Sequence, residues 1–171
     1  VDLLQGSPGR ISDLVMSGEA EIGVTIEPVT QPTGLLQITC RPVARSVFVP
    51  LGHPLLRVRK PTLHDIAMYP LIAVDPSCAM DWAIRRAFHA HGIEPNVAVH
   101  AGDATVIKAY VEQGLGICVL PSAAFEPARD KGLRIIDATD LFGDSRLKLI
   151  IDPYRYLRSF AYDFIELVAP E

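Results

Sequence analysis

Val97-Ala98-Val99-His100-Ala101-Gly102-Asp103-Ala104-Thr105-Val106-Ile107-Lys108-Ala109-Tyr110-Val111-Glu112-Gln113-Gly114-Leu115-Gly116-Ile117-Cys118-Val119-Leu120-Pro121 reads as strand, turn, helix and strand in a single run. Residues 97–101 suit a strand, and Gly102-Asp103 turns the chain. Val106, Ile107, Tyr110 and Val111 then line one helical face that stops at Gly114. Residues 117–120 form a second strand, ended by Pro121. Sliding the sequence by 96 positions lays Val1 on Val97, Leu3 on Val99, Gly6 on Gly102, Ile11 on Ile107, Val15 on Val111 and Gly18 on Gly114. Every βαβ unit needs small and apolar residues at such positions. The coincidences therefore fit either a structural repeat or two independent copies of one supersecondary solution. A repeat would give two similar α/β lobes. Each would aim a helix N-terminus out of a strand's carboxyl end, where open α/β sheets bind ligands and backbone N–H groups favour anions.

The rest of the chain follows the same grammar. Residues 1–5 read as a strand, and Ser7 is placed to cap a helix with Pro8 at its first position. Ile11, Leu14 and Val15 mark that helix and Gly18 stops it. Strands are expected at 21–27, 35–39 and 46–51, the last broken by Gly52-His53-Pro54. A short helix at 62–67 has Thr62 as cap and Asp65 at its third position. A buried strand at 71–74 leads to a helix running from Met80 to Gly92. Strands at 133–136 and 147–151 precede a last helix whose stripe is Leu157, Phe160, Ala161, Phe164, Ile165 and Val168. Strands alternate with helices along most of the chain, so the class is α/β with largely parallel pairing.

A length of 171 residues suits one domain or two small lobes. An apolar fraction of 49 % with 21 % charged residues excludes disorder, collagen and coiled coil. Sixteen basic against twenty acidic side chains give a net charge of −4, which suits nucleic-acid phosphates poorly. No apolar run approaches the ~20 residues that span a bilayer. The chain opens on Val1-Asp2-Leu3-Leu4, with no initiator Met and no signal peptide, and reads as a fragment of something longer. Cys40, Cys78 and Cys118 form no CxxC pair and are expected as free thiols in a reducing cytoplasm.

The search for catalytic chemistry is mostly negative. There is no GxxxxGK[ST] loop and no GxSxG elbow, and Gly114-Leu115-Gly116 lacks the third glycine of a dinucleotide fingerprint. His89 and His91, two apart on a helix, point in different directions, so no metal site is expected there. Asp75, Asp81 and Asp103 stand at loops or helix starts, where capping is the ordinary role of a carboxylate. Two strand-to-helix loops look better suited to binding: Asp75-Pro76-Ser77-Cys78-Ala79 and Ala101-Gly102-Asp103-Ala104-Thr105. Small and hydroxyl residues at such junctions leave room for a ligand and offer donors. Capping explains each loop alone; several converging on one cleft would be harder to explain that way.

The chain resembles the effector-binding half of LysR-type transcriptional regulators. The resemblance is carried by Gln5-Gly6-Ser7-Pro8, Gly52-His53-Pro54-Leu55, Thr62-Leu63-His64-Asp65-Ile66-Ala67-Met68-Tyr69-Pro70-Leu71-Ile72, and Gly114-Leu115-Gly116-Ile117 before Pro121. Within that family it looks similar to the CysB-like regulators of cysteine biosynthesis and sulfur utilisation. That similarity lies in Asp103-Ala104-Thr105-Val106-Ile107-Lys108-Ala109-Tyr110-Val111 and Leu157-Arg158-Ser159-Phe160-Ala161-Tyr162-Asp163-Phe164-Ile165.

The resemblance implies two Rossmann-like lobes as in type 2 periplasmic binding proteins, the first lobe N-terminally truncated. Lobe I would hold 1–40 and 142–171, lobe II 41–141, with two crossing strands as hinge. A small anionic effector would bind between them, near Ser7, Thr25, Ile26, Ser77, Cys78, Ala79, Gly102 and Asp103. The subfamily surrounds a sulfate-like anion with hydroxyls. Two of its threonines fall on Ile26 and Ala79 here, and Thr25, Ser77 and Cys78 are the nearest replacements. The implied protein is cytoplasmic, a homodimer or homotetramer, without catalytic residues, metal, cofactor or membrane contact. It would meet promoter DNA only through an N-terminal helix-turn-helix absent from this stretch. A periplasmic solute-binding protein shares the fold but is disfavoured by the odd cysteines and short lobes. An enzyme on the same scaffold is disfavoured by the lack of a nucleophile–base or metal constellation.

Overall fold

A strand buried on both faces lies inside a layered fold, and Arg45–Pro50 is buried at every position but its last. The computed structural model describes residues 2–4, 6, 8–26, 33–76, 79–143 and 145–169. In chain order the elements are α1 (Pro8–Ser17), β1 (Gly23–Ile26), β2 (Leu36–Val43), β3 (Arg45–Pro50), α2 (Leu63–Ala67), β4 (Leu71–Val74) and α3 (Ala79–Ala90). There follow β5 (Val97–Ala101), α4 (Ala104–Glu112), β6 (Cys118–Pro121), β7 (Leu133–Asp137), α5 (Thr139–Phe142), β8 (Ser145–Ile151) and α6 (Ser159–Val168). Short 3-10 turns occupy Pro54–Arg57 and Ser122–Ala124. Contacts divide the chain into two units: Val1–Pro42 with Ser145–Glu171, and Val43–Asp144.

In the second unit β3 lies between β6 and β7, antiparallel to both, with Ser46 opposite Leu120 on one side and Asp137 on the other. β4 and β5 pair in parallel, and a parallel bridge from Leu71 to Ile117 sets β6 beside β4. There the Ile117 N–H donates to the Pro70 carbonyl at 2.9 Å and the Ile72 N–H to the Ile117 carbonyl at 2.8 Å. This close approach explains Gly116, because a Cβ there would lie 2.4 Å from the Pro70 oxygen. On one face Val47, Val49, Leu71 and Val119 pack against Leu63 and Ile66 of α2, Ile84 and Phe88 of α3, and Phe142 of α5. On the other, Phe48, Ile72, Val74 and Leu120 pack against Ile107 and Val111 of α4. Each full burial of such a side chain is worth about 1.5–3 kcal/mol, so these two layers are the main support of the unit.

The motif residues around this core are structural. Thr62 and Asp65 form the expected capping box: the Asp65 N–H donates to Thr62 Oγ1 at 3.3 Å, and the Thr62 N–H to Asp65 Oδ2 at 2.8 Å. His53 Nδ1 accepts from the Leu55 N–H at 3.3 Å, and its ring meets Tyr69 edge-on at 4.4 Å. Burial holds the His53 pKa below its ordinary value.

In the first unit β8 runs between β1 and β2. β1 is antiparallel to β8, with Thr25 opposite Lys148. Leu157, Ala161 and Ile165 pack α6 and its approach against Ile151, Ile22 and Ile38. A Cβ at Gly23 would come within 2.7 Å of Ile11 Cγ2, so β1 needs a glycine where α1 crosses it.

Two expectations are corrected. Where register is described, β1–β8, β3–β6 and β3–β7 are antiparallel, and only β4–β5 and the Leu71–Ile117 bridge are parallel. Alternating elements imply parallel pairing only when consecutive strands become neighbours, as β4 and β5 do. Most neighbours here are distant in sequence. Residues 1–5 were expected as a strand; no strand covers Asp2, Leu3 or Leu4, and Leu3 and Leu4 are exposed. An apolar pattern makes a segment compatible with a ladder, but the strand exists only with a partner.

Candidate functional site

The topology of the second unit collects chain ends on one edge. Val74 and Ala101 end the parallel pair β4 and β5 side by side. β6 runs with β4, so Pro121 ends at the same edge, opposite Arg45, the first residue of β3. Asp137 ends β7 opposite Ser46. This rim of carboxyl ends is the place where open α/β sheets take ligands. Gly102 and Asp103 lie on it, both exposed. α3 starts from it at Ala79, four residues after Asp75. Ser77 and Cys78 fall outside the described residues, as does Ser7 in the first unit.

Asp103 is the N-cap of α4. Its Oδ1 accepts from the Thr105 N–H at 2.7 Å and the Val106 N–H at 3.2 Å. These bonds hold its carboxyl below the usual Asp range. Two first-turn donors of α4 are thereby committed to a side chain of the chain itself, and are closed to an anionic ligand while Asp103 stays in place. A Cβ at Gly102 would meet nothing within 4 Å, so open space rather than crowding surrounds that position. Asp137 is occupied in the same way, its Oδ1 accepting from the Thr139 N–H at 3.0 Å and the Thr139 hydroxyl at 2.8 Å. Those bonds lower its pKa as well.

The structure brings out three groups on this unit, the first a carboxylate that the sequence offers only as a helix cap. Asp81, in the first turn of α3, is buried and accepts from Arg85 Nε at 2.6 Å. Arg85 Nη2 lies 3.4 Å from His100 Nε2, and His100 Nδ1 lies 3.0 Å from the Val74 carbonyl. That carbonyl can only accept, so the His100 proton sits on Nδ1 and Nε2 accepts from Arg85. The Asp–Arg spacing of four was legible in the sequence, whereas the histidine comes from another strand. The third group is a hydroxyl pair, Ser46 Oγ and Ser122 Oγ, 2.7 Å apart at the rim. Pro121 marked a strand end in the sequence, but nothing there shows that Ser46 lies beside it.

In the first unit Thr25 is buried and Ile26 half-buried. Adjacent strand residues point to opposite faces. Thr25 shares the face of Gly23, against α1, so its hydroxyl does not stand on the face that Ile26 presents.

No group of His, Cys, Asp and Glu that could hold a metal occurs among the described residues. Cys40 and Cys118 are free thiols, Cys118 buried with its pKa pushed up by that burial. No described helix is long and apolar enough to cross a membrane.

Residues 1–171 match the family described as LysR substrate binding domain. The chain is 37 % identical over 170 residues to the HTH-type transcriptional regulator CysB of Burkholderia cenocepacia, covering 99 % of this chain and 54 % of that protein. It is 38 % identical over 168 residues to the HTH-type regulator SsuR of the same organism, covering 98 % and 54 %. The crystal structure of the cofactor-binding domain of the Cbl transcriptional regulator superposes with a TM-score of 0.90 at 30 % identity, covering 98 % of this chain and 73 % of that one. The chain thus spans about half the length of the curated relatives it matches, and those relatives are transcriptional regulators. Its mixed α/β fold is that of LysR effector-binding domains, which is like that of type 2 periplasmic binding proteins. The chain belongs to the LysR substrate-binding domain family, in the company of the sulfur-related regulators CysB, SsuR and Cbl.

Proposed function

We propose that this chain is the ligand-sensing part of a cytoplasmic transcriptional regulator and performs no catalysis. The observation that carries the reading is the family match over residues 1–171, together with 37–38 % identity to two regulators across nearly the whole chain. The sensing domain takes a small effector bearing an oxyanion, and its lobes follow the division implied by the resemblance. Effector binding shifts the balance between arrangements of a homodimer or homotetramer. Promoter DNA is met by a helix-turn-helix segment outside these residues, as the relatives' designation suggests; the net charge of −4 agrees with that division of labour.

The effector is an organic anion related to sulfur metabolism, with an apolar part, rather than bare sulfate. Ile26 and Ala79 stand where the subfamily has threonines, and Thr25 is turned to the other face of β1. Each charge-assisted hydrogen bond lost to an anion costs about 1.5–3 kcal/mol. The N-terminus of α3, which starts from the rim of the second unit, offers backbone donors to an anion, and Ser77 is the hydroxyl expected nearest the ligand. Calorimetry with sulfate and with a small alkyl sulfonate tests this. The sulfonate should bind at least tenfold more tightly, and Ser77→Ala should weaken it. Tight sulfate binding unaffected by Ser77→Ala contradicts both the site and the selectivity.

A further inference from the structure

We infer that the Ser46–Ser122 hydroxyl pair is an oxyanion-donor site on the rim of the second unit. Ser122 is the group that touches the ligand, and Ser46 positions and polarises it. The inference deepens the effector-sensing reading and rests on it.

The backbone fixes Ser122 from both sides. Its N–H donates to the Ala44 carbonyl at 2.8 Å, and its carbonyl accepts from the Phe125 N–H at 3.1 Å. The turn it begins is tied to α4, because Lys108 Nζ donates to the Ala124 carbonyl at 2.9 Å and to Asp130 Oδ2 at 2.9 Å. Ser46 is the second residue of β3 and only 2 % exposed. Asp137, opposite it on the ladder, gives its Oδ1 to Thr139. Ser122 is half-buried.

Two hydroxyls 2.7 Å apart carry two protons, and one of these lies between the oxygens. Neither hydroxyl has another side-chain hydrogen bond among the described residues, so the direction of the shared bond follows from burial. If Ser122 donated, the Ser46 proton would be buried without an acceptor, at the full cost of desolvation. With Ser46 donating, its proton is satisfied and the Ser122 proton is left for the open rim. Accepting one hydrogen bond also strengthens a hydroxyl as a donor. The pair therefore presents one polarised O–H where the strands end, and what it lacks is an acceptor. A carboxylate, sulfonate or sulfate oxygen supplies one.

The test is calorimetric titration of the full chain with inorganic sulfate and with methanesulfonate. Wild type is compared with Ser122→Ala, Ser122→Thr and Ser46→Ala, each shown by thermal melting to be folded. Losing one hydrogen bond to a charged group predicts roughly tenfold weaker binding for Ser122→Ala. Ser46→Ala removes only the polarising bond and should weaken binding about threefold. Ser122→Thr keeps the hydroxyl and should stay within about twofold of wild type. If wild type binds and Ser122→Ala binds equally well, the inference is overturned while the sensing reading stands. If neither anion binds wild type at concentrations up to about 50 mM, both are overturned.

Discussion

A shift of 96 positions lays residues 1–18 on 97–114, and the structure shows where that alignment holds and where it breaks. α1 begins at Pro8 and α4 at Ala104, which is the same shift. Gly18 and Gly114 end the two helices with φ of 79° and 76°. Their N–H groups donate to the Val15 carbonyl at 3.1 Å and the Val111 carbonyl at 2.9 Å. The strands agree less well. β5 leads into α4 on the ladder of β4, whereas Asp2, Leu3 and Leu4 before α1 form no strand. A helix carries its own hydrogen bonds and is written locally; a strand depends on a neighbour from elsewhere in the chain.

The largest expected difference between the two segments lies just past the helices, at Gly116 and its counterpart Ala20. Gly116→Ala would press a Cβ to 2.4 Å from the Pro70 carbonyl oxygen, a backbone atom that also holds the β4–β6 bridge. A loss of about 3 kcal/mol is expected. Ala20→Gly should cost less than about 1 kcal/mol. Urea denaturation of both variants checks the contrast; equal losses would mean that the bridge is not what Gly116 protects.

The two helix-ending glycines come next. Both need the left-handed region, so Gly→Ala costs about 1 kcal/mol from conformation alone. At Gly114 nothing lies within 4 Å of an added Cβ, and the cost should stop there. At Gly18 the Cβ would collide with the Arg155 guanidinium, whose Nη2 donates to the Met16 carbonyl at 3.1 Å. Displacing that contact should bring Gly18→Ala to about 2 kcal/mol. Adding Arg155→Ala to Gly18→Ala should give a non-additive double-mutant cycle; additivity would remove Arg155 from the account of this helix end.

The smallest effect concerns Asp103. Its folded pKa is lowered by the Thr105 and Val106 N–H groups. The stabilisation is therefore complete above its ordinary value of 3.8 and fades as pH falls through the lower folded value. Asp103→Ala should lower Tm at pH 7, and the gap to wild type should close as the pH falls through that lowered folded value. A gap that persisted in acid would assign the loss to something other than the carboxylate cap.

The same contrast accounts for how much of the molecule was legible in advance. The α4 cap, the Thr62–Asp65 box, the strand at 71–74 and the helix-ending glycines each rest on residues within a few positions of one another, and each appears as read. The antiparallel neighbours of β3 rest on residues roughly seventy or more positions apart, such as Ser46 with Leu120 and Asp137. The hydroxyl pair of Ser46 and Ser122 was hidden for the same reason. Asp103 was weighed as a helix cap and as a binding residue, and the structure shows it capping. Thr25 and Ile26 are neighbours in sequence but stand on opposite faces of β1.

The central claim is that the chain binds a small oxyanion-bearing effector and leaves it chemically unchanged. Thermal melting of the full chain across a panel of small sulfonates, carboxylates and sulfate, with the ligand followed by NMR, tests this most directly. The account predicts a saturable rise in stability for at least one organic anion, approaching about 2.7 kcal/mol at one hundred times its Kd. The ligand spectrum should stay constant over hours. A flat melting temperature across the panel, or conversion of the bound compound, would contradict it.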